Sequence, residues 1–479
     1  MSSFSALEIG KRALLAQRFG IEVTSNNIAN VNTAGYSRRS AVLSESSPLF
    51  RNGQFIGTGA IAQKLRTFRE EFFDRELRST VARNNTFEND EKIFQRIESI
   101  LAEPSELNIQ NDINSFLSAF EELAIKPEDI GLRENILGKA QTLVEKLNRT
   151  SVQLSEARNE LATQISLNVN QINSLLADVA NLNKNIANSK SLSQTEAQTY
   201  VDQRQLKLEE LSKLTGVTVS FEQDGSANVF LNGMNLITGS NYNEIRRVDI
   251  NNSASGEITI AIEIYDKSKD LATRVVPQLG ELSSNLKHFN ETLDSLESKG
   301  FSIVKQLDDF VDALAQKINQ LTISGYGLND TTSPPPGRLF FEPSTGRITA
   351  ATIKISDDIK NSPENLPFSK NPGEPGNAEI ALAIGRIAQD SKFLNNQRPY
   401  EFYSAFIGKI GSLSREATTG KDTTRLVAEQ LSNQRESVIG VNVDEEAVNL
   451  IRFQKAFEAA SRIVTVTNDL LSTVINLGR

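Results

Sequence analysis

The strongest constraint on how this chain can fold is a pair of apolar seams, one near each end of the sequence. From about Phe4 to Asn30, Leu7, Leu14, Ile21 and Ile28 recur every seven residues and line one face of a helix. Ala6, Ala13 and Gly20 flank that seam and would let a neighbour approach closely. At the other end, Leu450, Phe453, Phe457, Ala460, Val464, Thr467, Leu471 and Val474 follow a 3-4-3-4 spacing with one polar member. Such seams serve either as core helices of a bundle or as assembly surfaces. Their small-residue edge and terminal location, where chains ordinarily fray, favour assembly. Asn32-Thr-Ala-Gly-Tyr36 supplies the turn formers that stop the first helix, and Gly35 is expected at positive φ. Asn442 is the expected cap of the last helix. Asp444, Glu445 and Glu446 fill its first turn, where acids favour the helix dipole.

The interior alternates between periods. Apolar residues spaced by three and four run from Leu137 to Ile186, broken only by Ser151, Arg158 and Asn168. That predicts a helix of roughly 75 Å at ~1.5 Å per residue. From Val217 to Asp266 the period drops to two, with turns at Asp224-Gly225 and Asn232-Gly233, which predicts a small antiparallel β module. Helical spacing returns with Leu279, Leu282, Leu286, Phe289, Leu293 and Leu296, then Ile303, Leu307, Phe310 and Leu314. Further helices are expected at about 377–394 and 400–438. The expected fold is mainly α with a smaller β part, elongated and multi-domain. Residues 1–66 with 440–479 form a terminal helical domain. Residues 67–216 with 272–325 and 376–439 form a helical shaft. Residues 217–271 form the β module, and 326–375, with Pro334-Pro-Pro336 and a strand or two near Arg347–Ile355, a proline-rich surface excursion.

Composition narrows the chemistry. The chain has 479 residues and a net charge of -9, which disfavours binding a phosphate backbone. It has no cysteine, so disulfides, thiolate metal sites and thiol nucleophiles are excluded together. His288 is its one histidine, expected on a surface or helix flank. No apolar run is long enough for a transmembrane helix. The opening residues lack the basic and apolar blocks of a cleaved signal peptide. Gly57-Thr-Gly59 reads as a turn. The mixed-sign run Arg66, Arg69, Glu70, Glu71, Asp74, Arg75, Glu76 reads as a solvated helix face. No catalytic, cofactor-binding or metal-ligating set emerges. An enzymatic alternative, a hydrolase, would have to draw on Asp330, Glu342, Asp357 and Asp358.

Residues 26–38, Asn-Asn-Ile-Ala-Asn-Val-Asn-Thr-Ala-Gly-Tyr-Ser-Arg, resemble the N-terminal signature shared by flagellar rod, hook and hook-associated proteins; Asn27, Ala29, Asn30, Thr33, Gly35 and Tyr36 carry it. Ser437-Val-Ile-Gly-Val-Asn-Val-Asp-Glu-Glu-Ala447, with Leu450-Ile-Arg-Phe-Gln454 and Ala456-Phe-Glu-Ala-Ala460 after it, is similar to the hook-associated protein 1 family of hook–filament junction proteins. Gly440, Asn442, Asp444, Glu445 and Glu446 carry that likeness. Asp202-Gln-Arg204, Leu211-Ser-Lys-Leu-Thr-Gly-Val217 and Gly280-Glu-Leu agree with it. Ile439 stands where the family usually has Ser.

The resemblance implies a structural, non-enzymatic adaptor between hook and filament. The alternatives within the structural class are the second junction protein or the hook subunit. It also implies export through the flagellar type III channel without a cleaved signal, residence in the extracellular flagellum, and self-association into a ring. The implied partners are the hook protein, the second junction protein and an export chaperone at the C-terminal helix. Neither nucleic-acid binding nor membrane insertion is expected. The assembly residues would be Leu7, Leu14, Ile21, Ile28, Leu450, Phe453, Phe457, Val464 and Leu471. Residues 1–40 and 440–479 are expected to be largely disordered in the free monomer and to fold on assembly, since isolated amphipathic helices are marginal in water.

Overall fold

The computed structural model describes residues 3–51, 54–101, 108–189, 194–251, 258–294, 300–343 and 347–477. Leu296, part of the expected helical spacing, lies outside them. Helix α1 (Ser3–Ala29) is followed by two nested hairpins: β1 (Arg39–Glu45) pairs with β4 (Ala60–Thr67), and β2 (Leu49–Arg51) with β3 (Gln54–Ile56). Helices α2 (Glu71–Leu101), α3 (Ile109–Leu123), α4 (Ile130–Ser189) and α5 (Gln194–Leu214) come next. Asn108 caps α3 by accepting from the Asn111 N–H at 3.0 Å. The 60 residues of α4 span roughly 90 Å. Its apolar spacing holds along that length because the helix packs successively on α3, on α5 and on the β module.

The β module forms two antiparallel sheets. One has the order β5 (Thr218–Phe221), β6 (Ala227–Leu231), β7 (Met234–Thr238), β8 (Asn241–Tyr242). The other places β10 (Ile258–Asp266) between β9 (Glu244–Asn251) and β11 (Leu271–Val275). Asn232 and Gly233, with φ of 48° and 81°, make the two-residue turn between β6 and β7 that positive φ at both positions allows. The module is inserted at one point of the helical body, since the Gly216 N–H donates to the Leu279 carbonyl at 3.0 Å.

Helix α6 (Glu281–Lys287) runs into a π-helical turn over His288–Thr292. His288 is fully buried rather than on a surface or flank. Its Nε2 lies 3.0 Å from Asp90 Oδ1 and its Nδ1 3.0 Å from Thr292 Oγ1, while Phe94 meets the ring edge-on at 5.0 Å. Seven-residue spacing could not reveal a partner on α2, almost two hundred residues away. Burial alone would raise Asp90, but hydrogen bonds from His288 and Ser284 outweigh it and hold the carboxyl below its usual range.

After α7 (Ile303–Thr322), the segment expected to be a surface excursion turns inward. Hairpin β12 (Phe341–Pro343) with β13 (Ile353–Ile355) and helix α8 (Asp357–Lys360) carry Phe340, Phe341, Ile353, Ile359, Leu366 and Phe368 into the core. Phe340 and Phe341 stack around Phe116 of α3, and Phe368 meets Phe120 edge-on at 5.3 Å. Pro334 and Pro336 do stay on the surface. The error came from reading proline content as exposure, when a few large apolar residues at irregular spacing decide burial here. Helix α9 (Glu379–Gly385) then packs on α3. Helix α10 (Pro399–Ile439) lies along α2, and α11 (Val443–Leu477) returns along α1.

Candidate assembly interface

The two terminal helices pair within one chain, and their closest approach is set by small residues. A Cβ placed on Gly10 would come 2.7 Å from Val464, and one on Gly20 would come 2.7 Å from Phe453. The fully buried residues of α1 are Gly10, Ala16, Gly20, Val23, Thr24 and Asn27. Leu7, Leu14, Ile21 and Ile28 sit beside this stripe and are half-buried. On α11, Leu450, Phe453, Phe457, Val464 and Leu471 are half-buried toward α1, with Ala460 and Thr467 fully buried between them. Of the small residues expected to flank the α1 seam, Gly20 lies at its centre with Gly10 and Ala16, while Ala6 and Ala13 are half-buried at its sides with the leucines and isoleucines.

The signature residues gather where this pair meets the rest of the molecule. Asn27 Nδ2 donates to the Arg39 carbonyl at 2.7 Å and to Glu446 Oε2 at 3.0 Å. Asn27 Oδ1 accepts from the Tyr36 hydroxyl at 2.8 Å and from the Arg39 N–H at 3.1 Å. All hydrogen-bonding groups of this buried amide are thus engaged, which is what an interior asparagine requires. Burial raises the Tyr36 hydroxyl above its usual value, with Arg39 opposing. Arg38 reaches Glu446 at 2.8 Å and Glu445 at 3.0 Å, and its N–H donates to the Ile439 carbonyl at 2.8 Å. Asn442 Oδ1 accepts from the Asp444 and Glu445 N–H groups. Glu446, read from sequence as a helix-start acid, is buried and joins the two chain ends.

Gly35 has φ +76°, as its place after a helix predicts, and a Cβ there would meet Leu206 of α5 at 2.7 Å. Thr33 Oγ1 donates to Asn30 Oδ1 at 3.1 Å, Ala29 is exposed, and the Gly440 N–H ends α10 on the Glu436 carbonyl. Sequence reasoning did not single out Arg39, quoted Arg38 only as the end of the signature stretch, and gave Glu445 and Glu446 no partner in the chain. Asp202 was quoted only as part of a family stretch, yet it lies 2.8 Å from Arg39. The run Arg66 to Glu76 is not wholly a solvated face, because Arg69 and Asp74 are drawn inside.

A second apolar surface lies on α11 opposite the pairing face. Val448, Ile451, Ile463, Val466 and Leu470 share one side of the helix at ~100° per residue, and Val474, expected in the pairing seam, is exposed at the edge of the same stripe; each is at least half exposed, Val448 by 66% and Val474 by 62%. A smaller apolar knob is the β2–β3 hairpin, where exposed Phe50 and Phe55 touch with ring centroids 5.0 Å apart.

Of the carboxylates named for a hydrolase, Asp330 binds Arg338, Glu342 accepts from Ser356, and Glu342 and Asp357 meet only through Lys354, at 3.3 and 3.1 Å, with Asp358 exposed beside them. Among the described residues, no group of three or more His, Asp or Glu is arranged to hold a metal ion. No helix among them is long and apolar enough to cross a membrane.

Residues 94–341 match the family model of the flagellar hook-associated protein FlgK helical domain. Residues 7–36 match that of flagella basal body rod proteins, and 436–477 that of the flagellar basal body rod FlgEFG protein C-terminal region. Flagellar hook-associated protein 1 of Bacillus subtilis is 26% identical over 99% of this chain and 98% of its own length. The protein of that name from Salmonella typhimurium is 23% identical over 97% of this chain and 98% of its own. The structure of the flagellar hook junction protein FlgK from Burkholderia pseudomallei superposes with a TM-score of 0.63 at 14% identity, covering 76% of this chain and all of that one. That likeness carries the fold.

Proposed function

The chain belongs to the family of flagellar hook-associated FlgK proteins, and from that premise we propose that it is the structural adaptor joining hook to filament and that it works by packing rather than by catalysis. The observation that carries the assembly mode is the outward apolar stripe of α11 from Val448 to Val474. Helix α1 covers one face of α11 and leaves this second face open, and an exposed stripe of that length marks an interaction site. Neighbouring subunits of a ring would bury it, each well-buried side chain contributing ~1.5–3 kcal/mol. Leu7, Leu14, Ile21 and Ile28, half-buried on α1, would add to the contact from the α1 side.

In this reading the α1/α11 pairs line an inner tube and the β module faces outward. The ring contacts the hook protein on one side and the second junction protein on the other. Export proceeds without a cleaved signal, and before assembly a chaperone covers the apolar faces of α11. Imaging a strain in which this protein is deleted tests the adaptor role. Intact hooks without filaments, with flagellin shed into the medium, are expected. Filaments of normal length on unaltered hooks would overturn it.

A further inference from the structure

Below the α1/α11 pair, ion pairs of alternating sign connect segments far apart in sequence. Arg39, at the start of β1, donates to Asp202 of α5 at 2.8 Å. Asp202 lies 3.5 Å from Arg69, and Arg69 Nε is 3.2 Å from Asp74 Oδ2 of α2. Asp74 is 3.6 Å from Arg435, near the end of α10, and Arg435 also binds Glu209 of α5. The side chains of Arg39, Asp74 and Asp202 are almost wholly buried. Exposed ion pairs hold nothing in place, but buried ones demand their partners, because removing one leaves an uncompensated charge out of water.

The sources of the charges matter. The acids stand on α2 and α5, which belong to the shaft. Arg39 arrives from the segment that follows α1, while Arg435 stands on the shaft helix α10, close to where the chain leaves it for α11. A guanidinium docks in a fixed planar fork, so seating it fixes direction as well as position. We propose that this cluster is an orientation lock: the acids of the shaft seat Arg39 from the segment after α1 and pin Arg435 at the end of α10, where the chain turns into α11, and so fix the angle at which the α1/α11 pair leaves the body. The lock requires α11 to be folded through its third turn in the free monomer, against the expected disorder of 440–479, and is indifferent to how far beyond Arg452 the helix stays folded. It rests on the adaptor reading only in that the fixed angle presents the outer stripe of α11 to the neighbouring subunit.

The chain has no cysteine, so paired spin labels can be placed without background. Labels at Arg83→Cys on α2 and Arg452→Cys, in the third turn of α11, report the angle close to the joint. Pulsed electron resonance on the full-length monomer is expected to give one narrow distance distribution. Asp202→Asn and Arg435→Gln should each broaden or shift it while helical content by circular dichroism stays unchanged. Should either variant fail to fold, Glu209→Gln, at the edge of the cluster, is expected to broaden it to a smaller degree, and Arg39→Lys, which keeps the charge but loses the fork, likewise. A broad distribution in the parent protein overturns the lock, as does an unchanged narrow one in the variants. Either result would leave the adaptor role standing, since filament assembly tests that separately.

Discussion

At the scale of single residues, the structure turns on buried polar groups whose partners lie far away in sequence. Asp90 holds His288 in the π-turn after α6, and its carboxyl is held below the usual range in the folded state. The sign follows: a carboxyl lowered by folding adds stability above its unfolded value, and that stability is lost as pH falls through the lowered one. Asp90→Asn is expected to cost ~1–3 kcal/mol in urea unfolding near neutral pH, with the gap to the parent closing below about pH 4. A gap that stays constant on acidification would mean that the charge of Asp90 is not what secures His288. Gly35→Val makes a second case, since it forces a branched side chain into positive φ and against Leu206. Swimming should be lost while the helical content of the soluble protein stays nearly unchanged; a mutant that swims normally contradicts this.

At the scale of elements, the terminal helices were legible because leucine, isoleucine and phenylalanine at three and four spacing announce a face. The exact line of contact was not legible. Gly10, Ala16 and Gly20 carry little hydrophobic weight, yet they let Val464 and Phe453 come close, so shape decides where the helices touch. Gly20→Ile is therefore expected to push α1 off α11 and leave cells without filaments, while the α2/α10 shaft of the purified protein stays protected from hydrogen exchange. Normal filaments on cells carrying it would show that the close approach is not needed. The ionic cluster hid for another reason. Asp202 is 163 residues from Arg39 and Glu209 is 226 from Arg435, so each charge reads locally as solvated surface. The core of the 326–375 segment hid because its large apolar residues follow no period at all. The β module was legible from alternation and from turns such as Asn232-Gly233, whose chemistry is local.

At the scale of the whole molecule, the proposed assembly surface lies at the chain ends and the β module is an insertion in the helical body. The module between Gly216 and Leu279 leaves and re-enters at adjacent points, so joining those residues through a short linker keeps the helical body continuous. Cells carrying that deletion should still bear filaments, although the protein should melt earlier because the part-buried Asn173 and buried Asn183 of α4 lose the β-module backbone groups they bind. Loss of every filament would count against a dispensable outer module. The central claim is about direction, with terminal helices inside the axial structure and the β module outside. Electron cryomicroscopy of the distal end of the hook, with this protein in place, measures it directly. The account predicts α1 and α11 around the channel, with Val448 to Val474 of each α11 buried against a neighbouring subunit. A reconstruction with the β module around the channel, or with that stripe facing solvent, would contradict it.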